Sequence, residues 1–212
     1  MVRQYSWLDR LLIEADEMLQ TLLGEPTAAR VSPAASISPS SLSTIEKRTS
    51  QGYMRVNHTG EVCAQALYRA QMLLARDEET YALLSLACRE EVDHLAWTQH
   101  RLMQLGAKPS ALNLFWYGQS FFLGMAAAML GDAWSLGFVE ETERQVSAHL
   151  TQHLDRLPER DLESRAIVRQ MRQDEEAHGE AAKSAGGQAL PFLFQQWMRL
   201  QSKVMTTLVY YI

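Results

Sequence analysis

The sequence predicts an all-α protein built around a four-helix bundle. Hydrophobic residues recur at helical spacing along most of the 212 residues, and no run alternates apolar and polar residues between hairpin turn signals. Proline is absent from residues 40–108, and the last three prolines, Pro109, Pro158 and Pro191, stand where helical patterns stop or start. With 47% hydrophobic residues the chain can bury one full core, so we expect a single main domain.

Residues 1–23 predict a short amphipathic helix, and a linker follows it. Apolar residues recur here at helical spacing, but charged residues interrupt them, so the stretch lacks the continuous apolar core of a signal peptide. Residues 24–44 contain Pro26, Pro33 and Pro39 among serines and alanines and have no hydrophobic period. This composition predicts a flexible linker.

Residues 45–212 are predicted to form the bundle and its additional helices. The helical patterns cover about 46–76, 78–106, 112–157 with a break near Gly131, 160–185 and 190–211. Short connections between long helices are typical of bundle folds.

Two segments are apolar enough to associate with a membrane. Residues 109–131 carry no charge, which on length alone allows a membrane span, but their glycines and polar residues favour a helix at an interface or along an apolar channel. The C-terminal helix at 190–211 is amphipathic, with Leu193, Trp197 and Leu200 on one side. Such a helix can lie in a membrane surface or cover a protein core.

The net charge and the cysteines indicate which partners and which cellular compartment to expect. The formal net charge is -5 and no dense basic run offsets it, so nucleic acid is excluded as an expected partner. Cys63 and Cys88 lie within helical patterns and form no CxxC motif. We interpret them as small buried residues of a protein in a reducing compartment, in the cytoplasm or on the membrane that faces it.

Two Glu-x-x-His units are the strongest candidates for a functional site in the sequence. They are Glu91 with His94 and Glu175 with His178, and the i,i+3 spacing places carboxylate and imidazole on one helix face. Two such units on separate helices are half of the ligand set of a two-metal carboxylate bundle, in which two further helices each add one inward glutamate.

Helical wheels identify the two further glutamates. Glu61 lies in the middle of an apolar stripe of the first bundle helix. On the third, Glu143 lies about 40° from the apolar stripe at Val139, Glu140 about 100° and Glu141 about 200°. We therefore predict Glu143 as the ligand, keep Glu140 as the alternative and expect Glu141 to face water.

The inward-facing carboxylates predict a metal-binding site. Ionised carboxylates in an apolar core are unstable unless they are paired or bind a cation, and no lysine or arginine joins the inward stripes. Two divalent cations would balance four carboxylates. Carboxylate and imidazole ligands without thiolate suit iron or manganese better than structural zinc.

The symmetry of the set predicts roles for its members. Glu91 and Glu175 would bridge the two metals, and one histidine with one further glutamate would complete each side: Glu61 with His94, and Glu143 with His178. Each ligating histidine needs a partner for its other ring nitrogen. Asp174 and Glu90 are candidates for that contact, although either could be a solvated acid.

These residues resemble the demethoxyubiquinone hydroxylases of ubiquinone biosynthesis, usually called the Coq7 family, over nearly the whole chain. The resemblance is strongest in the stretches Met54 to Tyr68, Glu91 to Leu95, Glu141 to His149, Asp174 to His178 and Ser202 to Thr206. It implies a ferritin-like bundle whose six ligands are those named above. His149 corresponds to the family's histidine six positions after the third-helix glutamate, which favours Glu143 over Glu140.

The resemblance also implies an activity and its setting. We expect a membrane-associated di-iron monooxygenase that uses O2 to hydroxylate the ring of a polyprenylated quinone, with NADH as the implied electron donor. The implied location is the cytoplasmic face of the inner membrane, with other ubiquinone-biosynthesis proteins as partners. The sequence contains no Gly-rich dinucleotide fingerprint for NADH.

Two other classes of protein fit part of the pattern. A rubrerythrin-like or ferritin-like iron oxidase or peroxidase would use the same ligands without an organic substrate. A metal-free helical membrane adaptor would use the inward acids and histidines as a hydrogen-bonded network. Iron content distinguishes the adaptor from either enzyme, and copurified quinone distinguishes the two enzymes.

Overall fold

The computed structural model describes residues 6–212, and over that range the chain forms seven helices and no strand. The helices are α1 (Trp7–Leu23), α2 (Thr44–Leu74), α3 (Glu78–Gln104), α4 (Asn113–Met129), α5 (Asp132–Arg156), α6 (Leu162–Ser184) and α7 (Phe192–Tyr211). This confirms the all-α prediction. The first five residues of the predicted element 1–23 lie outside the described range.

Helix boundaries follow local capping chemistry. The side chains of Ser43, Asp77 and Asp161 accept hydrogen bonds from backbone N–H groups in the first turns of α2, α3 and α6. The predicted break between α4 and α5 is confirmed at Gly131, whose φ of 107° lies in the left-handed region that favours glycine.

Helices α2, α3, α5 and α6 form the four-helix bundle, in which α2 packs on α3 and α5 packs on α6. Each of the four passes from one apolar cluster, through a layer of buried carboxylates and imidazoles, to a second apolar cluster. The first cluster contains Met54, Trp97, Leu102, Leu105, Leu150, Leu157, Ile167, Val168 and Met171. The second contains Tyr68, Leu84, Ala87, Cys88, Leu136, Val139 and Ala182. The polar layer is therefore enclosed above and below by apolar side chains.

The order of the clusters along each helix gives the topology. Helices α2 and α6 run from the first cluster to the second, and α3 and α5 run the opposite way. Since α3 and α5 are parallel, the chain must cross the length of the bundle between them. Helix α4 makes that crossing while it packs on α2. One long crossover is typical of ferritin-like bundles, which agrees with the predicted fold class.

The segment between α1 and α2 contains no helix but contacts the bundle closely. Ala28, Ala34 and Leu42 pack against the first apolar cluster, and the Ser40 backbone N–H donates to Glu163. Its composition predicted a flexible linker. The contacts with α3 and α6 could not be predicted, because they involve residues far away in the sequence.

Helices α4 and α7 cover the bundle and leave large apolar side chains exposed. Those on α4 include Leu114, Phe115, Phe122 and Met129, and those on α7 include Phe192, Leu193, Leu200, Val204, Leu208 and Tyr211. Within residues 6–212, none of the helices has the length and apolar character needed to cross a bilayer.

Candidate metal centre

The six predicted ligands meet in the polar layer of the bundle. Their exposed fractions are 3% for Glu61, 0% for Glu91 and His94, 3% for Glu143, 2% for Glu175 and 8% for His178. Glu61, Glu91, His94 and Glu175 each have a ligand atom within 4.8 Å of the others'. Helices α2, α3 and α6 thus direct these four side chains to one buried point, and Glu143 and His178 lie outside that group.

Glu91 and Glu175 each approach both imidazoles with separate oxygens. Glu91 Oε2 lies 2.9 Å from His94 Nδ1, and its Oε1 lies 3.1 Å from His178 Nδ1. Glu175 Oε1 lies 3.4 Å from His94 Nδ1, and its Oε2 lies 3.3 Å from His178 Nδ1. With one oxygen directed to each imidazole, either carboxylate would be able to hold two cations, one through each oxygen.

Glu61 and Glu143 are the two carboxylates predicted at the terminal positions. Glu61 Oε2 lies 3.7 Å from His94 Nδ1. Glu143 accepts a short hydrogen bond from the Tyr68 hydroxyl and faces the same cavity as Glu61 and Glu175. Its role as a ligand stays a prediction, because Glu143 is not among the four residues whose ligand atoms all lie within 4.8 Å of one another. The alternative, Glu140, is half-buried and lies beside Arg144.

The expectation that Glu141 faces water is wrong. Glu141 is 6% exposed and accepts hydrogen bonds of 2.6 Å from both Arg144 Nη2 and Gln145 Nε2. Its face of α5 is covered by the chain that leads into α7: a Cβ on Gly137 would lie 1.9 Å from the Gln188 carbonyl oxygen. The helical wheel assumed that only one side of α5 is buried. It could not show that a second side is covered as well.

The outer ring nitrogens of both histidines contact the acids proposed for them. Asp174 Oδ2 lies 2.9 Å from His94 Nε2, and Glu90 Oε2 lies 2.7 Å from His178 Nε2. The contacts are reciprocal, since α6 supplies the partner of the α3 histidine and α3 that of the α6 histidine. An Nε2–H that donates to a carboxylate leaves Nδ1 free to bind a cation.

His149, which the family resemblance suggested as a further residue that supports the site, contacts α7 instead of the six predicted ligands. It is half-buried, and its Nδ1 lies 3.4 Å from the Ser202 hydroxyl on α7. Burial lowers the pKa of His149. The contact therefore joins α5 to α7.

The electrostatics of the cluster favour cations. Burial, and next the neighbouring carboxylates, raise the pKa values of Glu61 and Glu143 well above the ordinary range of a glutamate. A bound cation would favour the ionised form of both. Burial also raises the pKa of the Cys63 thiol to about 11 and that of Cys88 to about 12, and neither cysteine belongs to the group whose ligand atoms lie together. The donor set is therefore oxygen and nitrogen only, which fits iron.

Sequence reasoning missed two residues that contact this cluster. Tyr68 was recognised only as part of an apolar stripe, yet its hydroxyl donates to Glu143. Arg30, in the segment predicted as a linker, contacts Asp93 and Asp174. No motif marks either residue, because both contacts depend on how distant segments pack.

A cavity of about 160 Å³ leads to the cluster between α2, α4, α5 and α7. Three carboxylates, Glu61, Glu143 and Glu175, lie in its wall. The rest of the wall is mainly apolar and includes Leu67, Trp116, Leu123, Phe138, Val146, Met198 and Met205. A dry apolar cavity of roughly 150 Å³ accepts a benzene ring, so this one has the size for a six-membered ring.

The fold and the site define a class: helical bundle proteins in which buried carboxylates and histidines can hold metal. Comparison with known proteins specifies the family. The family model described as ubiquinone biosynthesis protein COQ7 matches residues 48–209. The chain belongs to this family.

Relatives named 3-demethoxyubiquinol 3-hydroxylase are similar to it over nearly their whole length. The protein of Coxiella burnetii (strain RSA 331 / Henzerling II) is 51% identical over 99% of this chain and 98% of the relative. That of Polynucleobacter necessarius subsp. necessarius is 52% identical over 97% and 99%. That of Janthinobacterium sp. (strain Marseille) is 53% identical over 96% and 98%.

Proposed function

We propose that this chain is a 3-demethoxyubiquinol 3-hydroxylase, a di-iron monooxygenase that uses O2 to hydroxylate the ring of demethoxyubiquinol in ubiquinone biosynthesis. Family membership and the names of relatives at 51% to 53% identity support it. The observation that carries the proposal is the apolar cavity that ends on Glu61, Glu143 and Glu175. An iron oxidase without an organic substrate needs no such space.

In this proposal the six clustered residues hold two irons. Bound iron supplies the activation of O2 and the transfer of electrons, chemistry that side chains alone do not provide. Carboxylates balance the charge of the metals, and Asp174 and Glu90 hold the imidazole rings in position. Tyr68 fixes the rotamer of Glu143 through its hydrogen bond. The apolar wall holds the substrate ring and keeps bulk water away.

The proposed substrate carries a polyprenyl tail, and the surface around the cavity suits it. Trp116 and Leu123 of α4, and Met198 and Met205 of α7, line the cavity, so it lies between the two helices that expose large apolar side chains. We propose that these side chains contact the cytoplasmic face of the inner membrane peripherally, and that the substrate enters from the bilayer. The free cysteines agree with a reducing compartment.

NADH is the electron donor in this proposal, on the strength of the family resemblance. Residues 6–212 contain no strand, so we expect NADH to deliver electrons without a βαβ dinucleotide fold. Other proteins of ubiquinone biosynthesis are the proposed partners.

The test is iron-dependent turnover by the purified chain. Supplied with iron, NADH, O2 and a short-tail demethoxyubiquinol, it should add one oxygen atom to the ring, as measured by mass spectrometry. Glu175→Ala, Glu143→Ala and His178→Ala should abolish this activity while circular dichroism shows a helical fold. Glu176→Ala is the matched control, because Glu176 follows Glu175 directly and its side chain is 57% exposed.

Two results would overturn the proposal. One is full hydroxylation by an iron-free Glu143→Ala protein. The other is a wild-type protein that oxidises ferrous iron or reduces peroxide and leaves the quinol unchanged, which would indicate a ferritin-like or rubrerythrin-like enzyme.

A further inference from the structure

Arg30 joins the segment between α1 and α2 to the outer side of the His94 half of the cluster. Its Nε lies 2.6 Å from Asp93 Oδ2, its Nη1 lies 2.9 Å from Asp174 Oδ2, and its Nη2 lies 3.4 Å from His94 Nε2. The two acids precede predicted ligands, Asp93 before His94 and Asp174 before Glu175. Arg30 lies outside residues 48–209, the part that matches the family model.

The surrounding residues hold Arg30 in a defined position. The backbone N–H groups of Ala29 and Arg30 donate to Asp93 Oδ1 at 2.6 and 3.3 Å, so one buried carboxylate receives three hydrogen bonds from this segment. The guanidinium carbon lies 5.0 Å from the centre of the Trp97 ring, within range of a cation–π interaction. Trp97 Nε1 in turn donates to the Arg30 carbonyl oxygen at 3.4 Å. This environment differs from that of a freely solvated surface arginine.

Arg30 acts on the cluster through Asp174. The same oxygen, Asp174 Oδ2, accepts from Arg30 Nη1 and lies 2.9 Å from His94 Nε2, while Gln170 donates to Oδ1 at 3.0 Å. With both oxygens held, the carboxylate has one orientation, and that orientation directs His94 Nδ1 towards Glu91 and the interior of the cluster. A planar guanidinium suits this task because its fork fixes geometry as well as charge.

The His178 half has no equivalent support. Its outer partner, Glu90, has a 37% exposed side chain, and among the ion pairs of residues 6–212 it pairs with His178 alone. The side chain of Asp174 is 15% exposed and is held by a cation. The two halves therefore differ in how firmly their histidines are oriented.

We propose that Arg30 is a positioning residue of the metal site, which raises the metal affinity of the His94 half through Asp174 and leaves the His178 half unaffected. The inference rests on the proposed function, since it takes the six clustered residues as metal ligands. The difference between the halves predicts two unequal binding steps.

The experiment is an anaerobic titration of the purified full chain with Co²⁺, followed by visible absorption. The wild-type chain should bind two ions. Arg30→Gln should weaken one step about 10- to 100-fold, the usual effect of losing a group that orients a ligand, and leave the other unchanged. Arg30→Lys keeps the charge without the fork and should restore part of the loss.

Arg69→Gln is the matched control. Arg69 also joins an N-terminal element to the bundle through two acids, Glu14 at 3.0 Å and Glu17 at 3.2 Å, but it belongs to neither half of the cluster. Its substitution should leave both Co²⁺ steps unchanged. Weakening by Arg69→Gln equal to that by Arg30→Gln would mean that the N-terminal segment acts only by packing, which overturns the inference.

A double-mutant cycle tests the route through Asp174. In an Asp174→Asn background, Arg30→Gln should cause little further loss, because both changes break one contact chain. Fully additive losses would overturn the inference. So would equal Co²⁺ affinities of the wild type and Arg30→Gln. If Arg30→Gln does not fold, the Co²⁺ affinity of Arg30→Lys decides the same question. A wild-type chain that binds no Co²⁺ or Fe²⁺ would instead overturn the proposed function.

Discussion

Two groups of buried ionisable residues lie in this bundle, and they differ in charge balance. Near the start of α6, Arg101 lies 2.8 Å from both Asp161 and Glu163 and donates to Ser164 at 2.9 Å. In the polar layer, four buried carboxylates have two imidazoles for partners. The Arg101 group is matched by a fixed guanidinium charge of the protein. The group in the polar layer is unmatched, since among residues 6–212 none of its four carboxylates pairs with a lysine or an arginine.

The comparison shows what distinguishes a buried acid with a structural role from one at a candidate metal site. Burial alone does not indicate function, since Asp161 at 0% exposed is as buried as Glu91. What distinguishes them is whether the fold itself supplies the compensating cation. Asp161 has Arg101 and also caps α6, so its role is structural. The acids of the polar layer have imidazoles as their basic partners, so a bound cation would take the place that Arg101 has beside Asp161.

The largest expected effect tests the matched group. Arg101→Met leaves Asp161 and Glu163 buried without a cation, so the free energy of unfolding should fall by about 3–5 kcal/mol. Urea denaturation measures this, and hydroxylation per folded molecule should not change. A loss below about 1 kcal/mol would show that the group contributes little to stability.

A smaller effect for each bound ion is expected from metal at the unmatched group. Fe²⁺ at 100 times its dissociation constant should raise the free energy of unfolding by about 2.7 kcal/mol for each ion, because the folded chain binds it and the unfolded chain does not. Anaerobic thermal denaturation with and without Fe²⁺ is the measurement. Glu175→Ala is the control and should lose this stabilisation, while Arg101→Met should keep it.

A third kind of buried group consists of histidines that stay neutral. These should make the folded protein less stable in acid. Burial lowers the pKa of His153 to about 3 and that of His58 to about 4. The unfolded chain therefore binds more protons than the folded chain below pH 6.5, so this stability is complete above that pH and is lost as the pH falls towards 4. Each histidine should contribute up to about 1.4 kcal/mol per pH unit.

The slope of stability against pH in urea denaturation checks this expectation. His153→Gln should flatten the slope between pH 6.5 and 4. His100→Gln, at an exposed position of α3, is the control and should leave it as in the wild type. An unchanged slope in His153→Gln would show that His153 is not buried in its neutral form.

The smallest effect on stability is expected outside both groups. Phe122→Ser and Leu193→Ser change side chains that are 75% and 80% exposed, so the free energy of unfolding should change by no more than about 0.5 kcal/mol. Sedimentation with phospholipid vesicles should nevertheless show weaker binding. Val31→Ser, at an 82% exposed position away from α4 and α7, should bind vesicles like the wild type.

The helices and most of the site could be predicted from the sequence because they depend on local periodicity. A spacing of three residues places Glu91 and His94 on one helix face wherever the helix packs, and Glu175 and His178 follow the same rule. The break at Gly131 is also local, since it depends on the conformation of one residue.

The contacts between helices could not be predicted in the same way. The burial of Glu141 depends on a second covering segment near Gln188, and the bond from Tyr68 to Glu143 joins residues 75 positions apart. Neither the cavity between α4 and α7 nor its position beside three carboxylates follows from any one segment.

The sequence by itself determined which candidate ligands share a face of their helix, because helical geometry decides which residues lie on one side. The tertiary structure alone decided how those side chains are supported and approached. Arg30 can hold Asp174 only because a segment without regular structure packs across α3 and α6, which brings together residues 144 positions apart. Periodicity specifies a face of a helix, whereas the neighbour of that face depends on the packing of the whole chain.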